Sequence, residues 1–567
     1  MFIPVHLLII YFNCVYSFIQ FVEYINTNPD LLVETSNGVL QGKTNYLRDN
    51  RKYYSYEGIP FAKPPLNELR FRAPKPFGKW TGVLDASMEA SHCIELRFRN
   101  ETSTTGSEDC LYLNVFTPEN PRKIRNYLPV MVWIHGGAFI EGNSEKRRFG
   151  PERLLNQDVV IVTCNYRIGI FGFLSTNTLD TPGNYGLKDQ NMVLKWVSKN
   201  IRRFGGNPNN VTLFGQSAGG ASVMYHVQSP LSRGLFHRAI AESGSSLCTF
   251  ALQIDPLDKV YQMAEALQIN SKNPKEIVEQ MRKMDVEKLQ NAQEMTTLIN
   301  FLPFRKYGIP FSPTIEPRHK RAFLTDFSYE MLNSGNFSRV PVIIGLNSQE
   351  GYAFKYFLNL LKPILNLLYD SSPGLLAMPN LKTKSFFENR IFGLSVLTRY
   401  FTGNTMTTGT FQELSDFFSD DVFYRPIRKT AELLSKYVPL YFYIFTYEGE
   451  YAANGIDDAE EREPGNKGVS HSEELWYLWN RTDVPLRGHD LLVSNRMVKM
   501  WSNFAKYGNP TPRADPLLQN IIWPTVSKIV FLKVDKELTI EDKYRDEYVT
   551  FWEEMFRKFG RRPYMTF

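Results

Sequence analysis

The sequence is poor in cysteine and lacks a hydrophobic run of membrane-spanning length. Only five of its 567 residues are cysteine, which excludes the small folds that disulfides hold together. The most apolar N-terminal stretch, residues 7–12, is soon followed by Asn13 and Gln20. A membrane span needs about 20 predominantly apolar residues. The sequence therefore predicts no membrane span in the mature chain.

The chain also lacks a large excess of charge of one sign. The chain has 65 basic and 59 acidic residues and a formal net charge of +6. The densest basic run, Lys146-Arg147-Arg148, is short and adjoins Glu145, which is typical of a solvated loop and indicates no nucleic-acid partner. No internal repeat, low-complexity tract or long Gly/Ser linker divides the chain. With 43% hydrophobic residues, the sequence predicts one large domain with insertions.

The first residues have the pattern of a secretion signal. The run at residues 7–12 has the length of a signal-peptide core, and Val15 and Ser17 satisfy the small-residue rule for cleavage after Ser17. The usual basic segment before the core is missing, since His6 is the only candidate. We expect residues 1–17 to be a signal peptide, residues 18–567 to form the mature domain, and the protein to be secreted.

Cysteines and glycosylation sequons fit an oxidising compartment. Cys93 and Cys110 flank a polar loop. A disulfide there would stabilise the folded protein by about 3 kcal/mol, because it lowers the chain entropy of the unfolded state. Cys164 lies in an apolar stretch typical of a buried free thiol, and Cys248 has no evident partner. Four Asn-x-Ser/Thr sequons are candidate glycosylation sites: Asn100, Asn210, Asn336 and Asn480.

Strand patterns alternate with helix patterns along the chain. Strands are predicted at Tyr54–Ile59, Leu111–Phe116, Pro129–Ile134, Val159–Cys164, Val211–Phe214, Ala239–Ser243, Val340–Gly345 and Leu440–Phe445. Residues 189–204 repeat apolar residues at helical spacing, and residues 255–335 are more helical and polar. This alternation predicts an α/β fold with a large, mostly parallel sheet flanked by helices.

The most informative stretch is Gly215-Gln216-Ser217-Ala218-Gly219, which fits the G-x-S-x-G nucleophile elbow. An apolar strand comes before it, and small, helix-compatible residues follow it. Such a turn holds the serine in a strained conformation with its hydroxyl exposed, and glycines are needed where backbones approach closely. The helix that begins there directs its amides at a developing oxyanion. We interpret Ser217 as a nucleophile.

A second motif, His135-Gly-Gly-Ala-Phe139, directly follows the predicted strand that ends at Ile134. In folds with a nucleophile elbow, a small-residue loop after an early strand presents backbone amides to the reacting carbonyl oxygen. Side chains larger than those of Gly136, Gly137 and Ala138 would block the substrate. The third amide is expected from Ala218, the residue after the nucleophile.

A nucleophilic serine needs a base and an acid that orients the base. In elbow-type hydrolases the chain order is serine, acid, histidine, so the base is His471 or His489. We prefer His471 because it lies in a polar loop past the strand at 440–445. Glu350 is the favoured acid because it follows the strand at 340–345. The alternatives are Asp326 and the acidic run Asp457, Asp458, Glu460 and Glu461.

Several blocks together resemble the type-B carboxylesterase and cholinesterase family across nearly the whole mature length. Glu108-Asp-Cys-Leu-Tyr-Leu-Asn-Val-Phe-Thr-Pro118 matches one family signature, and Phe214-Gly-Gln-Ser-Ala-Gly-Gly220 matches the serine signature. Tyr166-Arg167, Asn184-Tyr-Gly-Leu-Lys-Asp-Gln190 and Phe204-Gly-Gly-Asn-Pro208 resemble intervening blocks. The resemblance implies an α/β-hydrolase fold and the hydrolysis of a small-molecule ester without a metal or cofactor.

The resemblance also assigns residues. It places a catalytic triad on Ser217, Glu350 and His471, an oxyanion hole on Gly137, Ala138 and Ala218, and the first family disulfide on Cys93 and Cys110. It places a serine beside the acid at Ser243. The loop at residues 307–316 resembles the segment that walls the acyl pocket, with Ile309 and Phe311 facing the acyl group.

Departures from the family pattern bear on the substrate. Cholinesterases carry a choline-binding tryptophan between the first two cysteines, whereas residues 94–109 contain none. A quaternary ammonium therefore lacks its cation–π platform, and we expect uncharged, apolar esters. Gln216 stands where many family members have glutamate. Insect juvenile hormone esterases also have glutamine there, so juvenile hormone is one candidate substrate. A non-catalytic binding or adhesion protein is the alternative on the same fold, and the oligomeric state stays open.

Overall fold

A computed structural model gives the architecture of the chain. It describes residues 28–96, 105–301, 308–355, 364, 366–378, 385–450, 467–480, 485–527 and 530–567. The predicted signal peptide at residues 1–17, the sequon at Asn100 and the acidic run from Asp457 to Glu461 lie outside these residues.

Fourteen strands are present in the described residues. They are β1 (Leu32–Glu34), β2 (Val39–Gln41), β3 (Lys43–Tyr46), β4 (Lys52–Pro60), β5 (Val83–Asp85), β6 (Tyr112–Thr117), β7 (Leu128–Ile134), β8 (Val160–Cys164), β9 (Gly206–Gln216), β10 (Arg238–Glu242), β11 (Val342–Asn347), β12 (Leu440–Phe445), β13 (Phe531–Val534) and β14 (Leu538–Glu541). Eleven of them form one sheet in the order β14-β13-β12-β11-β10-β9-β7-β8-β6-β4-β3, and β1, β2 and β5 form a small second sheet.

The centre of the large sheet is parallel. Strands β13, β12, β11, β10, β9, β7 and β8 run in one direction, while β14, β6, β4 and β3 pair antiparallel at the two edges. Every residue of β8, β11 and β12 is buried, as expected of parallel strands that are covered on both faces.

Fourteen α-helices surround the sheet in the described residues. They are α1 (Glu152–Leu155), α2 (Gly169–Phe173), α3 (Tyr185–Asn200), α4 (Ala218–Gln228), α5 (Pro256–Ala266), α6 (Pro274–Arg282), α7 (Val286–Phe301), α8 (Ser328–Ser334), α9 (Phe386–Tyr400), α10 (Phe411–Phe418), α11 (Arg425–Leu434), α12 (Leu475–Leu478), α13 (Gly488–Tyr507) and α14 (Asp546–Phe559). A π-helix, Ser419–Tyr424, joins α10 to α11. Among the described helices, none combines the length and apolar character required to cross a membrane.

Alternate residues of the central strands belong to two separate hydrophobic cores. In β7, Val130, Val132 and Ile134 lie in the larger core with helices α3 and α4, whereas Met131 and Trp133 lie in the smaller core with α13. This alternation follows from the two-residue period of a strand. The fold is therefore a sheet between two helical layers, and the prediction of a mostly parallel α/β fold is confirmed.

The strand boundaries differ from those predicted at identifiable positions. Strand β11 begins at Val342 and not at Val340, because Pro341 has no backbone N–H to donate to a ladder. Strand β10 ends at Glu242, since Ser243 has a left-handed φ of 48°. Helix α3 begins at Tyr185, and the chain leaves its 3-10 extension at Gly205 with φ 81°.

The predicted functional segments lie at one edge of the sheet. The glycine-rich loop follows β7, the elbow follows β9, Glu350 follows β11, and the loop that carries His471 follows β12. These four strands are parallel, so their carboxyl ends meet at the same edge, where ligands bind in such sheets.

Candidate active site

Ser217 lies between β9 and α4 in a strained backbone conformation, with φ 60° and ψ −122°. The turn is possible because its glycines leave room for neighbouring backbone. A Cβ on Gly219 would lie 2.1 Å from the carbonyl oxygen of Ile134, and one on Gly215 would lie 2.6 Å from the same oxygen. Strain at such a position costs about 1–3 kcal/mol and is typical of functional sites. The residue is 8% exposed, so access to its hydroxyl is restricted.

The loop after β7 lies directly against the elbow. A Cβ on Gly136 would come within 3.0 Å of the Ser217 Cβ, so only glycine fits there. Gly137 and Ala138 both have positive φ, 102° and 53°. The hydroxyl of Tyr166 donates to the carbonyl oxygen of His135 at 2.9 Å, which fixes the start of the loop.

The three backbone amides predicted to form the oxyanion hole come from two elements. Gly137 and Ala138 belong to the loop, and Ala218 begins helix α4. Within the described residues, none of these amides donates a hydrogen bond to another group of the protein. Amides at a helix start carry partial positive charge, so the arrangement suits a negatively charged oxygen.

Glu350 and His471 are in direct contact. Nδ1 of His471 lies 2.5 Å from Oε2 of Glu350, and Glu350 is completely buried. Its other oxygen, Oε1, accepts from the backbone N–H of Asn347 at 2.7 Å. A buried carboxylate at this distance requires a proton on Nδ1, so Nε2 of the neutral ring carries the lone pair.

Gln216 and Phe423 also contact the His471 ring. Nε2 of His471 lies 3.2 Å from Nε2 of Gln216, and the ring of Phe423, on the π-helix, lies 4.7 Å away between centroids. The hydrogen bonds among these described residues do not include one between Ser217 Oγ and His471. Catalytic hydrogen bonds are often loose without substrate and tighten when it binds.

Two further acids are buried close to these groups. Burial, and then the charge of Glu350, raise the pKa of Glu474 to about 7; the side chain of Asn347 donates to Glu474. Burial, and then the charge of Glu474, raise the pKa of Glu242 well above its usual range. Burial also lowers the pKa of His135 to about 4, so His135 is uncharged at neutral pH in the loop at residues 135–139, the predicted oxyanion loop.

Two of the rival residues, His489 and Asp326, are described, and both are in more exposed surroundings than Glu350 and His471. His489 is exposed at the start of α13. Asp326 binds Arg318 at 2.7 Å, and its side chain is 44% exposed. The acidic run from Asp457 to Glu461 lies outside the described residues.

Ser243 is buried directly behind the elbow. Its amide donates to the carbonyl oxygen of Gly345 at 2.8 Å, and a Cβ on the adjacent Gly244 would lie 2.0 Å from the carbonyl oxygen of Ser217. The Ser243 hydroxyl has no hydrogen-bond partner in the described part of the chain. The structure thus brings Ser243 to the site without joining it to Glu350.

Ile309 and Phe311 lie in a loop that is connected to the oxyanion loop through Gln253 and Phe173. Phe311 is 1% exposed, and its amide donates to Oε1 of Gln253 at 3.3 Å. The Gln253 amide donates in turn to the carbonyl oxygen of Phe173 at 3.0 Å. The ring of Phe173 contacts that of Phe139, in the oxyanion loop, at 5.3 Å.

The disulfide and three sequons are also described. Cys93 and Cys110 are bonded, which confirms the pairing that the family resemblance implied, and Cys164 and Cys248 are buried free thiols. Asn336 is exposed, whereas Asn210 and Asn480 are only partly exposed. Asn210 lies within β9 and accepts from Arg238; Asn480 donates to Glu152 at 3.3 Å.

The sequence did not single out four groups near the site: Glu242, Asn347, Phe423 and Glu474. Asn347 and Glu474 are three residues from Glu350 and His471 respectively, so proximity in sequence was a usable signal. Glu242 and Phe423 come from other elements, and no local pattern identifies them.

A parallel sheet between helices, with a strained serine after one strand and a His–Glu pair after two others, defines an α/β-hydrolase. A sequence model of the carboxylesterase family matches residues 29–552. The chain therefore belongs to the carboxylesterase family and is a carboxylic ester hydrolase.

Individual relatives agree with this membership. The chain is 34% identical over 540 residues to the juvenile hormone esterase of Tribolium castaneum, with 92% of this chain and 90% of the relative covered. It is 33% identical to esterase FE4 of Myzus persicae, with 90% of each covered.

Two solved structures have the same fold. The juvenile hormone esterase of Manduca sexta, crystallised with OTFP covalently attached, superposes with a TM-score of 0.81 at 27% identity, and covers 93% of this chain and 99% of its own. A PNB esterase superposes with a TM-score of 0.72 at 28% identity, with 92% of this chain and 99% of its own covered.

Proposed function

We propose that the protein hydrolyses uncharged, apolar carboxylic esters through an acyl-enzyme on Ser217, with His471 as general base and Glu350 as the orienting acid. The observation that carries this proposal is the 2.5 Å contact between Nδ1 of His471 and Oε2 of Glu350. It leaves the Nε2 lone pair on the side of the elbow, where a base for Ser217 is needed.

The reaction proceeds in two stages. Ser217 Oγ attacks the ester carbonyl carbon while Nε2 of His471 takes its proton, and the carbonyl oxygen becomes an oxyanion held by the amides of Gly137, Ala138 and Ala218. Collapse breaks the bond to the alcohol, which leaves with the proton from His471. A water molecule then attacks the acyl carbon, His471 takes its proton, and the free acid leaves as Ser217 regains a proton.

Substrate charge and size follow from the surroundings of the site. The buried rings of Phe139 and Phe173 are in contact, and buried Phe311 is connected to Phe173 through hydrogen bonds of Gln253. Residues 94–109 have no tryptophan for a quaternary ammonium. Juvenile hormone is the specific candidate, because juvenile hormone esterases are among the relatives by sequence and by structure.

Secretion is part of the proposal. Residues 1–17 would be removed, residues 18–567 would form the mature enzyme, and the disulfide Cys93–Cys110 fits an oxidising compartment. Expression in insect cells tests this: the protein should accumulate in the medium without its first ~17 residues. Retention of the intact N-terminus inside the cells would contradict it.

The decisive experiment is trapping by an organophosphate, which phosphorylates only activated serines. We expect one adduct on the peptide with Ser217, and no adduct or ester hydrolysis in Ser217→Ala, with a loss of about 10⁶-fold in kcat. Ser334→Ala, at an exposed helix end, is the matched control and should behave as the parent. If the parent neither reacts nor hydrolyses any ester in a panel that includes juvenile hormone and a choline ester, the chain is a binding module.

A further inference from the structure

The side chain of Gln216 fills the space between the oxyanion loop and the His471 ring. It is buried. A Cβ on Gly136 would lie 2.9 Å from its Oε1, so that end of the amide faces the oxyanion loop. Its Nε2 lies 3.2 Å from Nε2 of His471 and 2.8 Å from Oγ of Ser472.

The direction of the bond to His471 follows from the other side of the ring. Because Nδ1 holds the proton that faces Glu350, Nε2 has only a lone pair to offer and must accept. The group that faces it must then be the NH₂ end of the Gln216 amide. One of the two N–H bonds points to His471, and the other points to the Ser472 hydroxyl oxygen.

Ser472 is held in an unusual conformation for this contact. Its φ is 71°, a left-handed value that non-glycine residues adopt at a cost of about 1–3 kcal/mol. The strained residue directly follows His471 and places its Oγ 2.8 Å from the Gln216 amide. Gln216 therefore connects the loop that carries His471 to the end of β9, directly before Ser217.

We propose that Gln216 is a positioning residue for the general base: in the resting enzyme its amide donates to the Nε2 lone pair and holds His471 at the elbow, and it releases that lone pair when Ser217 transfers its proton. This inference rests on the role proposed above for His471. An amide N–H is attracted to a lone pair on Nε2 but meets another hydrogen once that nitrogen is protonated. A carboxylate at position 216 would do the opposite, because it attracts the protonated ring.

The other ionisable groups that face His471 in the described residues are Glu350, after β11, and Glu474, before α12. The π-helix contributes the uncharged ring of Phe423. Gln216 is thus the neutral polar group on the Nε2 side, while both carboxyl groups belong to the Nδ1 side and the loop behind it.

The test compares pH–rate profiles of kcat/KM for an aryl ester. Gln216→Glu has the same shape and adds one negative charge, so the acid limb should move upward by about 1–3 pH units. Gln268→Glu, at an exposed position, adds the same charge elsewhere and should keep the parent profile. Active-site titration with an organophosphate counts the folded, competent enzyme in each sample.

Removal of the donor without a charge separates positioning from electrostatics. Gln216→Met should lower kcat by about three- to tenfold with little change in KM, as expected for one lost hydrogen bond, and Ser472→Ala should have a smaller effect in the same direction. An acid limb of Gln216→Glu that coincides with that of the parent would overturn the inference. A parent that is not phosphorylated by the organophosphate would instead overturn the proposed function.

Discussion

The backbone amide of Ser217 donates to the carbonyl oxygen of Glu242 at 2.8 Å. The nucleophile's own N–H is therefore committed to the neighbouring strand and is not directed at the substrate. The amides of Gly137, Ala138 and Ala218 donate to no other group in the described residues, and their role as oxyanion donors stays a prediction. Strand β10 thus helps to orient the elbow through the backbone of Glu242, while the Glu242 side chain makes separate contacts.

The side chain of Glu242 lies in a buried polar row below the site. Its Oε1 accepts from the indole N–H of Trp501 at 2.6 Å. In the sheet, Glu242 pairs with Gly345 and Gly345 pairs with Tyr443, and the Tyr443 ring occupies the space that a Cβ on Gly345 would need. Glu474 interacts electrostatically with Glu242 and with Glu350, and it connects this row to the loop that carries His471.

Glu474 should make stability depend on pH. Because burial raises its pKa in the folded state to about 7 from an ordinary value of 4.5, the folded protein binds more protons than the unfolded chain between about pH 4.5 and 7. Stability should therefore fall as pH rises through this window. In Glu474→Gln, a neutral isostere, the urea concentration at the unfolding midpoint should fall less than in the parent over the same pH range. Urea titrations at several pH values measure this.

Other buried acids add a background to this dependence, so the informative quantity is the difference between variant and parent. Glu265→Gln, at an exposed helical position, is the control and should parallel the parent. If Glu474→Gln loses as much stability as the parent between about pH 4.5 and 7, then Glu474 ionises in the folded protein as it does in the unfolded chain.

Glu350→Gln should abolish most activity while leaving the fold intact. The amide cannot accept from both Asn347 and His471 as the carboxylate does, and it favours the wrong imidazole tautomer, which costs about 10⁴-fold in kcat in a comparable triad. Asp326→Asn changes the rival acid, which is paired with Arg318, and should retain full activity. Equal losses in the two variants would remove Glu350 from the triad.

The buried centre of the fold was predictable because its sequence is constrained on both faces. Strands such as β7 and β12 are continuous apolar runs, and β12 was predicted with the boundaries that it has. The short strands β1, β2, β3, β5, β13 and β14 were not predicted. They are three or four residues long and half-exposed in places, so their pattern differs little from that of a loop.

The candidate site divides in the same way. Ser217 and the oxyanion loop depend on local backbone geometry, which glycines reveal in the sequence. The partners of His471 depend on contacts between distant segments. Gln216 and Phe423 precede it by 255 and 48 residues, and they reach it only because a strand and a π-helix converge there. A single sequence contains no signal for such pairings beyond a family resemblance.

Among the described sequons, Asn336 should carry the glycan. It is exposed, and its Oδ1 accepts only an exposed side chain, that of Arg233, at 2.9 Å. Asn210 precedes two buried residues of β9, Val211 and Thr212, so a glycan there is incompatible with the sheet. Protein secreted by insect cells should lose one increment of mass in Asn336→Gln and none in Asn210→Gln. A glycan found on Asn210 would contradict the register of β9.

The last prediction concerns the acyl pocket. If Phe311 walls it, Phe311→Ala should widen the pocket and shift preference toward longer acyl chains. Each methylene accommodated or excluded is worth about 1–3 kcal/mol at most, so the ratio of kcat/KM for long over short esters should rise by roughly tenfold. This ratio is measured within one preparation, so it does not depend on how much of the variant folds. Ile309→Ala, at a half-buried position, should produce a smaller shift of the same sign.

One result would remove this wall from the site, and another would overturn the argument from the missing tryptophan. An acyl-length profile in Phe311→Ala that matches the parent means that the loop at 308–316 only packs the core, as the hydrogen bond from Phe311 to Gln253 permits. A parent enzyme that hydrolyses a choline ester faster than its uncharged analogue means that another aromatic ring replaces the missing tryptophan as a cation–π platform.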